Sequence, residues 1–158
     1  MNILIAYAGK TGTTQRCAKM LEQGLKNVTV INLVEETPDI SKYDLIIIGG
    51  SIRIGILHSK AKKFIKDNKE KLLNKKTAYY ICCGFSDGYK KYFETNIDKE
   101  LLDKSIIYDT FGGEMDVNKQ KGIEKFIVKM VNKTEQGKKE VKILSETIER
   151  FINTINKI

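Results

Sequence analysis

The sequence is poor in the residues that build disulfide frameworks and zinc sites. Its 158 residues include only three cysteines, an odd number, at Cys17, Cys82 and Cys83. They show no Cys-x-x-Cys spacing, so the sequence predicts neither a disulfide framework nor a zinc site, and we expect no metal ion. Free thiols of this kind are typical of a reducing cytoplasm, which is where we expect the protein.

Long apolar runs and leader signals are lacking as well. Hydrophobic residues make up 41% of the chain, yet no stretch approaches the roughly 20 apolar residues that cross a bilayer. The N-terminal MNILIAYAG is too short for a secretory signal and has no basic leader, so we interpret it as a core strand. We therefore expect a soluble protein, and its length favours a single domain over residues 1–158.

Positive charge is in excess. Lysine and arginine number 28 against 20 acidic residues, which gives a formal charge of +8. Such a balance favours acidic proteins, nucleic acid or anionic lipid as partners, and it does not by itself choose among them.

Apolar runs alternate with segments of helical spacing along the chain. Strand-like runs lie at 3–7, 28–33, 44–51, 77–84 and 105–113. Helical spacing of apolar residues occurs at 17–25, 59–73, 123–131 and 144–155. This alternation predicts an α/β fold, a doubly wound sheet of five parallel strands with helices on both faces. Such sheets bind ligands beyond the carboxyl ends of their strands, so the candidate loops are 8–14, 51–58 and 84–89.

The loop YAGKTGTT at residues 7–14 contains a Gly-Lys-Thr that does not belong to a triphosphate-binding loop. That motif needs a glycine where this chain has Leu4. The loop instead places Thr11, Thr13 and Thr14 around Gly12 at the start of a helix, whose N-terminal dipole favours an anion. One phosphate monoester would fit these hydroxyls, with Lys10 adding long-range charge; the alternative is a helix-capping turn with no ligand.

From Thr11 onward the loop resembles the phosphate loop of the flavodoxin family, Thr/Ser-x-Thr-Gly-x-Thr, which cradles the phosphate of FMN. The resemblance implies a flavodoxin-like sheet of order 2-1-3-4-5. It also implies an FMN phosphate site at Gly9, Lys10, Thr11, Gly12, Thr13 and Thr14. The family usually has a hydroxyl residue where this chain has Gly9.

The segment GGSIRIGILHSKAKKFI at 49–65 is similar to the corresponding segment of menaquinone-dependent protoporphyrinogen oxidases, a flavodoxin-like group in which this loop lies against the isoalloxazine ring. The resemblance implies that the ring lies between two loops. One contributes Ser51, Ile52, Arg53, Ile54 and Gly55, and the other Cys83, Gly84, Phe85 and Ser86. Phe85 and Tyr89 are the aromatic residues that could stack on the ring.

Arg53 and His58 each have two interpretations. A guanidinium beside the ring would stabilise a reduced, anionic flavin and raise its reduction potential; alternatively, Arg53 is solvated or pairs with Glu114 or Asp116. His58, the single histidine, either begins a helix that Ser59 caps or transfers protons near a substrate. The adjacent Cys82 and Cys83 are either small packing residues or a redox pair, and packing is favoured.

Eight lysines lie between residues 60 and 76. They form either a solvated helix face or a docking surface for an acidic redox partner or an anionic membrane. Nucleic acid is not expected, because no aromatic residues alternate with these lysines.

The combined hypothesis is an FMN-dependent oxidoreductase that resembles protoporphyrinogen oxidases and reacts with a quinone or a redox protein. The alternatives are a flavodoxin-type electron carrier between redox proteins and a flavin-free interaction module.

Overall fold

The computed structural model describes residues 1–114 and 142–158. Six strands are present in this part of the chain: β1 (Ile3–Ala8), β2 (Val28–Asn32), β3 (Leu45–Arg53), β4 (Ile56–Leu57), β5 (Lys76–Cys82) and β6 (Ile107–Thr110). Between and after them lie α1 (Thr13–Gly24), α2 (Ser59–Asp67), α3 (Lys69–Leu73), α4 (Tyr89–Asn96), α5 (Lys99–Lys104) and α6 (Ser145–Asn156).

The strand order is β2-β1-β3-β5-β6, with all neighbouring pairs parallel. This confirms the predicted flavodoxin-like order, since β4 is a two-residue antiparallel addition to the end of β3. β4 is not predicted by the sequence pattern, which indicates a loop at 51–58. The helix predicted at 59–73 is divided at Asn68 into α2 and α3, and α4 and α5 lie in a segment where the sequence pattern predicts no element. The predicted helix at 123–131 lies outside the described residues.

β3 lies at the centre of the sheet and is buried on both faces. Ile46 and Ile48 pack in one hydrophobic cluster with residues of α2 to α5, whereas Leu45 and Ile47 pack in a second cluster with residues of α1 and α6. Successive side chains of a strand point to opposite faces, which explains why an uninterrupted apolar run suits this position. Because both faces of β3 are buried, the short helices on each side gain apolar contacts that offset the conformational entropy lost when they form.

Two glycines in the middle of β3 let large side chains cross the strand. A Cβ atom on Gly49 would lie 2.0 Å from Cζ of Tyr80 on β5, and one on Gly50 would lie 2.4 Å from Cδ1 of Leu57. With Gly49 in place, the buried Tyr80 ring stacks on Phe111, with ring centroids 4.7 Å apart. Its hydroxyl donates a hydrogen bond to the Thr14 carbonyl at 3.1 Å. Tyr80 therefore links β5 to the first turn of α1.

His58 caps α2. Its Nδ1 accepts a hydrogen bond from the backbone N–H of Lys60 at 3.3 Å, and the helix begins at Ser59. The expectation that Ser59 provides the cap is therefore wrong, because Ser59 is already inside the helix and the imidazole supplies the acceptor. A nitrogen that accepts a hydrogen bond must be unprotonated, so the capping imidazole is neutral.

Acid should weaken this cap. Burial lowers the pKa of the His58 imidazole below its ordinary value of 6.5, and three nearby cations lower it further: Lys10, Arg53 and Lys60. Because the folded protein then binds this proton less readily than the unfolded chain, the stability contributed by neutral His58 is complete above the ordinary pKa and is lost as the pH falls through the folded pKa.

We expect the free energy of unfolding to fall more in the wild-type protein than in His58→Asn between about pH 7.5 and about pH 5.5, because asparagine caps helices without titrating. Urea denaturation at the two pH values measures the difference. An equal fall in both proteins would show that His58 does not control the acid sensitivity of this region.

Candidate functional site

Three loops meet at the carboxyl edge of the sheet. They are the loop between β1 and α1, the β3–β4 hairpin and the loop after β5. The strand register pairs Ala8 with Gly50 and Ser51 with Cys82, so the last residues of the three central strands lie side by side. The structure thus brings together the three candidate loops, 8–14, 51–58 and 84–89.

The loop after β1 ends in a helix start that has no side-chain cap. Gly12 is the N-cap residue, with φ of 90° in the left-handed region, and its carbonyl accepts the N–H of Arg16 at 3.0 Å. The first N–H groups of a helix have no intrahelical partners, and the helix dipole adds partial positive charge there. With no acidic residue in its first turn, α1 offers these donors to an anion from elsewhere.

The threonines of this loop differ in exposure. Thr11 is half-buried, whereas Thr13 and Thr14 are buried. A Cβ atom on Gly9 would lie 2.6 Å from Oγ1 of Thr14, so the absence of a side chain at residue 9 leaves the space that Thr14 fills. The departure from the family pattern at Gly9 therefore has a packing reason. The Thr14 hydroxyl also contacts the buried Cys82 thiol.

The β3–β4 hairpin turns through Ile54 and Gly55. Both have positive φ, 51° and 73°, as in the two-residue turns that suit β-hairpins. Such a conformation is strained for a β-branched residue, and strained residues persist only where their surroundings hold them. The turn presents Ile54 and Ile56 to solvent, with 73% and 62% of their surfaces exposed.

Helix α4 holds the hairpin in place. The Asn96 side chain donates to the Gly55 carbonyl at 2.8 Å and accepts the Leu57 N–H at 2.9 Å. One turn earlier, the half-buried Tyr92 ring lies beside Gly55. Burial raises the pKa of Tyr92, and the nearby Cys83 thiol raises it further. Tyr92 thus neighbours both the hairpin and the loop after β5.

Sequence reasoning missed Tyr92 and Asn96. Their i, i+4 spacing is the available signal, but it becomes informative only once residues 89–96 are known to form a helix.

The two adjacent cysteines at the end of β5 point to opposite faces of the sheet. Cys82 packs with the Cys17 thiol, their sulfur atoms 3.6 Å apart, whereas Cys83 belongs to the other hydrophobic cluster. The Cys83 thiol donates to the Phe85 carbonyl at 3.1 Å and lies 3.4 Å from Oγ1 of Thr110. Burial raises the pKa of Cys83. Both therefore act as packing residues rather than as a vicinal redox pair.

Of the two aromatic residues that could stack on a ring, Tyr89 has another role. It packs edge-on against Phe93, with centroids 6.2 Å apart. Burial raises its pKa, and the neighbouring Asp109 carboxylate adds to the shift. Phe85, together with Gly84 and Ser86, remains half-buried on the loop after β5.

A buried hydroxyl lies between the loops without a partner. Within the described residues, Oγ of Ser51 is shielded from solvent and makes no hydrogen bond, although the Ser51 carbonyl accepts the His58 N–H at 2.9 Å. A buried polar atom normally has a partner, so this hydroxyl fits a ligand with a polar group at the end of β3. Together with the uncapped start of α1, it fits a ligand that is anionic at one end and polar at the other.

Positive charge surrounds the hairpin side of the site. Lys10, Arg53 and Lys60 all act on His58, and Arg53 is half-buried, with its Nε atom shielded from solvent. Glu114, considered above as a partner of Arg53, contacts Arg16 and Thr13 instead; Asp116 lies outside the described residues. Arg16 was not recognised from the sequence.

Clusters of metal-ligating side chains and membrane-spanning helices are both absent from the described residues. Among residues 1–114 and 142–158, no group of three or more His, Cys, Asp or Glu side chains could hold a metal ion. Over the same residues, every helix falls short of the length and apolar character of a membrane span.

Curated relatives include the protoporphyrinogen IX dehydrogenase [quinone] of Escherichia coli (strain K12) and its counterpart in Escherichia coli O157:H7. Each is 31% identical over 86 residues, which is 51% of this chain and 47% of the relative. The chain thus matches about half the length of these relatives.

Solved structures similar to this chain include a flavoprotein in complex with FMN from Lactobacillus acidophilus and oxidised flavodoxin 1 from Bacillus cereus. The first has a TM-score of 0.57 at 15% identity, covering 69% of this chain and 92% of the other. The second has a TM-score of 0.54 at 15% identity, covering 99% and 98%. These similarities establish the flavodoxin-like fold.

The family model described as flavodoxin domain matches residues 4–142. With the strand order, the three loops and this match in agreement, the chain belongs to the flavodoxin domain family.

Proposed function

We propose that this protein binds FMN at the three loops and acts as a quinone-linked oxidoreductase. The observation that carries the proposal is the uncapped start of α1, rich in threonine and placed at the carboxyl edge of the sheet. The FMN-bound flavoprotein with the same fold and the quinone-linked dehydrogenases with related sequences support it.

The phosphate would be held by residues 9–14. The backbone N–H groups and the hydroxyls of Thr11 and Thr13 would donate to its oxygens, and Lys10 would add charge. The buried Thr14 would pack against the loop and orient the first turn of α1. FMN supplies the electron chemistry when bound, whereas the protein positions it and controls its surroundings.

The ring would lie between residues 51–55 and residues 83–86. The unpartnered hydroxyl of Ser51 would donate to a polar atom of the ring edge. Arg53 would favour a reduced, negatively charged ring and so raise its potential. This would suit a quinone acceptor better than a partner of low potential.

The exposed hairpin tip favours an apolar acceptor. Ile54 and Ile56 present apolar surface at the edge of the site, next to lysines of α2. A quinone is apolar and resides in a membrane, so we also propose a cytoplasmic protein that contacts an anionic membrane surface peripherally through this tip and the lysines.

The second candidate is an electron carrier that docks acidic redox proteins on the lysine-rich surface, residues 60–76. Lys60, Lys62 and Lys66 are exposed there. Other lysines of the run have structural partners, since Lys63 pairs with Asp67 and Lys69 pairs with Asp98. These pairs leave fewer lysines for a docking mode that depends on charge alone, whereas the membrane contact also uses the apolar tip, so the carrier is the weaker candidate.

We expect Thr11→Ala with Thr13→Ala to weaken FMN binding by about tenfold or more, because two donors to the phosphate are lost. Quenching of flavin fluorescence on titration gives Kd. Lys60→Ala, which removes a charge outside the phosphate loop, is the control and should have a small effect. Equal small effects would contradict the phosphate assignment.

A quinone should reoxidise the reduced flavoprotein directly. The FMN-loaded protein is reduced under anaerobic conditions and mixed with a short-chain menaquinone while the visible absorbance of the flavin is followed. We expect rapid recovery of the oxidised spectrum, and slower recovery when Ile54→Ser and Ile56→Ser remove the apolar tip. No recovery with quinone, together with rapid recovery with an acidic redox protein, would establish the carrier instead.

A further inference from the structure

A carboxylate that is distant in sequence lies at the start of α1. The Thr13 hydroxyl donates to Oε2 of Glu114 at 3.3 Å, and the Arg16 guanidinium pairs with the same oxygen. Glu114 lies 101 residues from Thr13 in sequence, so this contact is made by the fold and not by local geometry. It places a negative charge where the proposed phosphate would bind.

The Arg16 guanidinium covers the phosphate loop. Its Nη2 donates to Oγ1 of Thr13 at 3.3 Å, and its Nη1 would lie 3.4 Å from a Cβ atom on Gly12. A guanidinium presents several donors in a plane and suits phosphate as well as carboxylate. Arg16 is therefore positioned to contact an anion of either kind at this helix start.

Backbone contacts fix the position of the two residues that precede Glu114. The Gly112 carbonyl accepts the Cys83 N–H at 2.8 Å, and the Gly113 N–H donates to the Lys142 carbonyl at 3.2 Å. A Cβ atom on Gly113 would lie 2.8 Å from the Cys83 carbonyl, so the two loops are in close contact. These contacts hold Gly113, the residue before Glu114, beside the loop after β5.

The Glu114 carboxylate and a bound phosphate would compete for the same partners at the start of α1. The start of α1 attracts an anion, and the Glu114 carboxylate already supplies one. A phosphate would require the Thr13 hydroxyl and Arg16, and it would be repelled by the carboxylate if that group stayed in place. Neither Arg16 nor Glu114 belongs to the loop pattern that predicted the site.

We propose that Arg16 and Glu114 set the affinity of the loop for phosphate. Glu114 is an internal competitor that neutralises Arg16 and occupies the Thr13 hydroxyl, and phosphate binding transfers Arg16 from the carboxylate to the phosphate. This inference rests on the proposed function, because it requires FMN to bind with its phosphate at α1.

Binding constants for FMN and for riboflavin, which lacks the phosphate, test the proposal. Flavin fluorescence gives both, without any activity assay. We expect Glu114→Gln to tighten FMN binding by about fivefold to tenfold and Arg16→Gln to weaken it by about as much, with riboflavin unchanged within about twofold. The controls are Glu22→Gln and Lys19→Gln, which change exposed charges on the same helix and should leave both constants unchanged.

The outcomes separate this inference from the proposed function. If the wild-type protein prefers FMN to riboflavin but Glu114→Gln leaves FMN binding unchanged or weakens it, Glu114 does not compete and only this inference fails. If Arg16→Gln changes FMN and riboflavin binding equally, Arg16 acts on the fold and not on phosphate, which also overturns it. If the wild-type protein binds neither flavin, both proposals fail.

Discussion

The candidate site depends on the position of the first turn of α1, where unpaired backbone N–H groups attract an anion. A hydrogen bond fixes that turn, since the buried Tyr80 hydroxyl donates to the Thr14 carbonyl. Tyr80 can reach it only because Gly49 has no side chain, and stacking on Phe111 holds the ring in place. The attraction of α1 for an anion therefore depends on packing between β3, β5 and the residue that follows β6.

The other side of the site depends on a strained hairpin turn that neighbouring residues keep in place. Ile54 has a conformation that β-branched residues rarely adopt, and the Asn96 side chain bonds to both arms of that hairpin. The loop after β1 and the hairpin that Asn96 holds therefore flank the end of β3. The unpartnered Ser51 hydroxyl lies at that end, which is why a ligand is the simplest account of the arrangement.

Features that depend on local sequence were predictable. The apolar run of β3 identified a strand buried on both faces, and the threonines after β1 marked a helix start that suits an anion. Contacts between distant segments were not predictable from spacing. Arg16 meets Glu114 only after β6 returns beside β5, and Asn96 meets the hairpin only after α4 folds over it. Serine is a common helix cap, which favours Ser59 from the sequence alone, but the imidazole of His58 provides the acceptor.

The central claim is that the start of α1 binds a phosphate. Amide nuclear magnetic resonance spectra of the protein, recorded with FMN and separately with riboflavin, test it most directly. The account predicts that FMN shifts the backbone N–H signals of Gly12, Thr13 and Thr14 strongly, whereas riboflavin leaves them nearly unchanged. Equal shifts with both flavins, or shifts confined to the opposite edge of the sheet, would contradict it.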